Sequence, residues 1–168
     1  MPKPAMQSVR VADIEPAAQP AAFIDDYLAY LLARTSHLIS AEFHAVVQRA
    51  RLPVLQWRVL ATLADGSART IGEVATMVLI PQSTLTRIAE RMVQAGLLQR
   101  AADSSDRRFT RIRLTDDGLA LADRLVQQAR EHEAAVVDAL GADDARALKR
   151  ILHKLIEQHA EGGPANPR

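Results

Sequence analysis

The chain has 168 residues, 48% of them apolar and 24% charged, with a formal net charge of +1. That composition can build one core and keep its surface solvated, and no run of 18 apolar residues marks a transmembrane helix. Cysteine is absent, which excludes disulfides, thiolate metal sites and thiol redox sensing.

The first 20 residues contain Pro2, Pro4, Pro16 and Pro20 with little apolar periodicity. They read as an extended, mobile arm and lack the apolar stretch of a secretory signal, so a cytoplasmic location is the default expectation. From Ala22 to about Gln48 there is no Gly or Pro. Ile24, Leu28, Leu31, Phe43 and Val46 recur at helical spacing, which predicts one long helix. Pro53 starts a second helix to about Ala64, with Leu55, Val59, Leu60 and Leu63 inward. Thr70 and Glu73 form a capping-box pair for a short helix ending near Val78. Pro81 opens the next helix, and Gly96 closes it. Its inward face is Leu85, Ile88, Ala89, Met92 and Val93; its outward face is Gln82, Ser83, Thr86, Arg87, Glu90 and Arg91.

Leu97-Leu98 and Phe109 to Leu114 read as two strands around the polar turn DSSDRR, residues 103–108. Thr115 is the expected cap of a helix from Asp116 to about Ala139. Gly141 breaks it, and a last helix ends near His159. The expected fold is mostly α with a small β-hairpin wing: a winged helix-turn-helix flanked by N- and C-terminal dimerisation helices. The expected divisions are an arm at 1–21, a dimerisation helix at 22–52, a winged domain at 53–115, dimerisation helices at 116–160 and a disordered tail at 161–168.

Charge is unevenly spread. Pro81 to Arg113 holds seven arginines against Glu90, Asp103 and Asp106, a net of +4 in a chain of +1. Arginine forks onto phosphates and guanines better than lysine does. A helix exposing Ser83, Thr86, Arg87 and Arg91 can enter a major groove, and a hairpin tipped by Arg107 and Arg108 can reach a minor groove. Gln82 and Thr84 are placed for phosphate or base contact. DNA binding is therefore the leading reading. A dimeric winged-helix scaffold for protein contact is the alternative. The apolar residues of the terminal helices, among them Leu148, Ile151, Leu155 and Ile156, ask for a two-fold partner, which suits palindromic DNA.

A third group lies along the first helix. Tyr30, Arg34, His37 and His44 form one stripe beside the apolar face. Cations, imidazoles and an aromatic on one line could hold an aromatic carboxylate, with Trp57 as a flat wall. Ser36 and Arg58 are further candidates, and a hydroxynicotinate-like acid fits this chemistry. Metal binding is not expected: His153 and His159 lie six apart, and His132 sits between Glu131 and Glu133 without a ligand triad. No cofactor is called for and no enzyme is expected, because Gly-rich phosphate loops and hydrolase or zinc-protease motifs are missing.

Taken in order, Gln56-Trp-Arg-Val-Leu60, Thr70-Ile-Gly-Glu-Val-Ala75, Pro81-Gln-Ser-Thr-Leu-Thr-Arg87, Gly96-Leu-Leu and Asp106-Arg-Arg108 followed by Leu114-Thr115 resemble the MarR family of bacterial transcription regulators. The likeness runs from about residue 25 to 159. It implies an obligate dimer on a palindromic operator, and a small-molecule pocket between the dimerisation helices and the winged domain. It also implies that Arg108 is the wing-tip arginine and that Asp106 orients an arginine at the wing base. The family's peroxide-sensing branch uses a reactive cysteine, which this chain lacks.

Overall fold

A computed structural model describes residues 22–101 and 111–160. The expected arm, the tail and the wing turn with Asp106, Arg107 and Arg108 lie outside the described residues. By compactness the chain forms two units, 1–38 and 39–168, and the division falls inside a helix.

The long first helix is interrupted. Helix α1 (Phe23–Asp26) ends at Tyr27, whose φ of −76° and ψ of 111° are extended, and α2 (Leu28–Arg49) follows. Asp25 and Asp26 lie in the single turn of α1, and the apolar spacing runs through the break at Tyr27 without marking it.

Helix α3 (Val54–Thr62) starts after Pro53. A two-residue strand β1 (Arg69–Thr70) leads into α4 (Ile71–Val78). Thr70 caps α4 through the expected reciprocal box: its Oγ1 accepts from the Glu73 N–H at 3.2 Å, and Glu73 Oε2 accepts from the Thr70 N–H at 2.7 Å. Helix α5 (Gln82–Gln94) ends in a Schellman turn. The Leu97 N–H reaches the Met92 carbonyl and the Gly96 N–H reaches that of Val93, with Gly96 at φ +72°.

Strands β2 (Leu98–Ala101) and β3 (Arg111–Leu114) pair antiparallel, Leu98 opposite Leu114 and Ala101 opposite Arg111. The sheet order is β1-β3-β2, so β3 is central. The strand β1, which apolar alternation does not reveal, pairs Arg69 with Ile112 and Thr70 with Arg111. Helices α6 (Asp116–Leu140) and α7 (Ala142–Ala160) complete the chain.

One core lies among the described residues of the second unit, from Phe43 to Leu125. Leu60, Leu63, Val74, Leu85, Met92, Leu98 and Ile112 are fully enclosed in it. The core continues across Thr115, because Ala122 and Leu125 of α6 join it. The far half of α6 and nearly all of α7 contribute little. Leu140, Leu148, Ile151 and Ile156 are exposed, and Ala145 is the one buried residue of α7.

Candidate nucleic-acid interface

Helix α5 presents its two faces as the periodicity demands. Leu85, Ile88, Ala89 and Met92 are buried, while Gln82, Ser83, Thr84, Thr86, Arg87, Glu90 and Arg91 are exposed. Burial of four apolar side chains on one side fixes the rotation of the helix about its axis. The polar side must therefore face outward.

Two of these side chains also face the protein. Gln82 and Thr86 line a cleft of about 360 Å³ between α5, α4 and the sheet, together with Thr70, Ile71, Glu90 and Arg100. The Thr86 hydroxyl donates to the Gln82 carbonyl at 2.9 Å, so only its oxygen lone pairs remain to accept from a ligand. Ser83, Thr84, Arg87 and Arg91 stand clear of that cleft. The turn from α4 to α5 is another Schellman closure. Here the left-handed position is held by Leu79, at φ +62°, which is 84% exposed.

The expected effector residues divide between the two compact units. In the first, Arg34 Nη1 donates to the Tyr30 hydroxyl at 3.4 Å, and its guanidinium lies 5.9 Å from the ring centroid. Ser36 and His37 are exposed beside them in sequence. In the second, His44 is half-buried and Arg58 is exposed. Trp57 is not a free wall there. It is half-buried and packs on Phe43 with centroids 5.2 Å apart. Phe43 also meets His132 at 5.8 Å, and His132 Nε2 lies 3.2 Å from Glu42 Oε2. The carboxylate at His132 is that of Glu42, ninety positions away in sequence.

A second cluster went unread in the sequence. Arg69 Nη1 donates to the Thr62 carbonyl at 2.6 Å and to Asp65 Oδ1 at 3.1 Å, while Nη2 donates to Asp65 Oδ2 at 2.6 Å. Hydrogen bonds from Arg69 and Ser67 hold the Asp65 carboxyl far below the usual carboxylate range. The pair of bonds from Thr70 lowers the Glu73 pKa, and the charge of Arg111 adds to it. An Asp and an Arg four apart outside any helix carry no periodic signal, so only the fold shows the contact. Among the described residues no helix is long and apolar enough to cross a membrane.

Residues 52–108 match the MarR family profile. The chain is 31% identical to the HTH-type transcriptional regulator PecS of Dickeya dadantii over 131 residues, covering 76% of this chain and 78% of that protein. The fold superposes on the crystal structure of a MarR family transcriptional regulator from Silicibacter pomeroyi with a TM-score of 0.74 and 43% identity, covering 81% of this chain and 97% of that one. It also matches BpsR of Bordetella bronchiseptica, whose DNA binding is regulated by 6-hydroxynicotinic acid, with a TM-score of 0.69, 28% identity, and 82% and 97% coverage. With its capped α4, its two-faced α5 and its three-stranded wing base, the chain belongs to the MarR family of transcriptional regulators, not to a class of enzymes.

Proposed function

We propose that the protein is a homodimeric repressor released from a palindromic operator by a small aromatic or heteroaromatic acid. The observation that carries the DNA reading is the exposed face of α5, with Ser83, Thr84, Thr86, Arg87 and Arg91 set outward by four buried apolar side chains. Gln82 joins them at the helix start. Arg107 and Arg108 serve as the minor-groove contacts of the wing turn, and Asp106 orients an arginine at the wing base. Two such helices about 34 Å apart would read successive major grooves.

The dimer rests on residues 22–52 and 116–160. The exposed Leu148, Ile151 and Ile156 of α7 support this reading, since an unpartnered apolar stripe of this size favours a protein interface.

The acid is assigned to Tyr30, Arg34, Ser36, His37, His44, Trp57 and Arg58. The regulation of BpsR by 6-hydroxynicotinic acid supports the ligand class. Release follows if the acid binds better to a form whose α5 helices are misplaced, and the effect equals that difference in affinity.

A fluorescence anisotropy titration tests the reading. A duplex selected from a random pool by the wild-type protein is challenged with 6-hydroxynicotinate and related aromatic acids. Release by one of them is expected. For Arg34→Ala or His37→Ala, release should need roughly 10- to 100-fold more acid, the loss of one charge-assisted hydrogen bond. DNA affinity without acid should be unchanged. If no aromatic acid releases the duplex, the effector class is wrong. If both variants release it like wild type, the effector residues are wrong.

A further inference from the structure

The strand β1 is only two residues long. By itself it is too short to hold a sheet edge. It is fastened on both sides. Its second residue, Thr70, is locked into the capping box of α4. Its first, Arg69, grips the end of α3 through the Thr62 carbonyl and closes a two-pronged bond on Asp65. The Thr62 carbonyl belongs to the last turn of α3, where backbone acceptors lack helical partners and a cation suits the dipole.

Strand β1 is in turn the edge on which the central strand lies. Arg69 faces Ile112, Thr70 faces Arg111, and Arg111 Nη1 donates to the Ala68 carbonyl at 3.3 Å. Strand β3 continues directly from the segment 102–110 that carries Asp106, Arg107 and Arg108. The side chains of Asp65 and Arg69 are 53% and 24% exposed. An ion pair so exposed contributes little to stability. Its consequence is geometric: a planar fork bound at three oxygens ties β1 to the end of α3 and to Asp65.

We propose that Asp65 and Arg69 form a clasp that positions the wing for DNA, with Arg69 the positioning residue and Asp65 the group that aims it. The inference rests on the reading of the 102–110 turn as a DNA contact.

The sign of a charge change separates this from simple electrostatics. Asp65→Asn removes a negative charge while leaving every cation in place. A purely electrostatic role for the region predicts tighter DNA binding. A positioning role predicts weaker binding, by about tenfold, within the range for losing a groove arginine.

The experiment uses the full chain and the duplex selected by the wild-type protein. Affinity, thermal midpoint and a hydroxyl-radical footprint are measured for Asp65→Asn and for Arg69→Lys, which keeps the charge and loses the fork. Arg108→Ala is the control. The expected result is weaker binding by both variants, with loss of protection in the flanking minor grooves and retention of the central protection. If Asp65→Asn does not fold, Arg69→Lys decides in the same terms. Wild-type or tighter binding with flanks still protected overturns the clasp. If Arg108→Ala binds like wild type with flanks intact, it is the wing reading that has failed.

Discussion

Gly118 sits against the Leu97 carbonyl so closely that a Cβ on it would lie 2.1 Å from that oxygen. The contact joins the first turn of α6 to the turn between α5 and β2. Thr115 reinforces it: its hydroxyl donates to the Gly96 carbonyl at 2.6 Å, and its oxygen accepts from the Gly118 N–H at 3.0 Å. Glycine inside a helix normally destabilises it by about 1 kcal/mol relative to alanine. Here the close approach inverts that rule. Gly118→Ala should destabilise the protein by about 1–3 kcal/mol, because backbone and not a flexible side chain must yield. Urea denaturation checks it; a stabilised variant would show that α6 can slide away from Leu97 at little cost.

Leu79 gives the opposite expectation. It occupies the left-handed region with its side chain in solvent. A left-handed residue with a Cβ costs about 1–2 kcal/mol, part of which is offset by the greater chain entropy of glycine when unfolded. Leu79→Gly should therefore raise the thermal midpoint and leave DNA affinity unchanged. A lowered midpoint would mean that Leu79 makes a stabilising contact in the assembled protein.

Arg87 stands on the outward face of α5. Arg87→Ala should lower affinity by about 1–3 kcal/mol and relax base preference at one position of each half-site. Repeating the selection from a random pool with the variant is the check. An unchanged consensus would reduce Arg87 to a phosphate contact.

Removal of residues 141–168 should abolish the dimer while leaving the winged core folded. Core residues end at Leu125, and α7 adds only Ala145 to the buried set. Sedimentation should give a monomer that retains helical circular dichroism. A truncated chain that still sediments as a dimer would place the interface elsewhere.

Acid should loosen the clasp late. The Asp65 carboxyl is held below its ordinary value of 3.8. Its contribution is thus fully present above that value and is lost as pH falls through the lower folded-state pKa. The Arg69 contact should persist from neutrality down to about pH 4. Following the Asp65 carboxyl carbon by NMR through that range checks it, and protonation near pH 4 would show that the pair is not closed in solution.

Local chemistry alone determined most of the elements. Thr70 and Glu73, Pro81 and Gly96, and Thr115 mark helix ends through bonds made within a few residues, so their meaning is readable without a fold. The inward face of α5 follows from spacing, and the order of elements carries the family likeness. Tertiary structure decided the rest, because those features depend on surfaces brought together from distant positions. Strand β1 exists only because β3 offers it an edge. Trp57 is occupied by Phe43, and His132 is paired with Glu42 across ninety residues. Arg69 finds both Asp65 and the last turn of α3, although no periodicity links them. Gly118 is needed for a carbonyl twenty-one positions earlier. Periodicity records which side of an element is apolar; it does not record what that side, or the polar one, will meet.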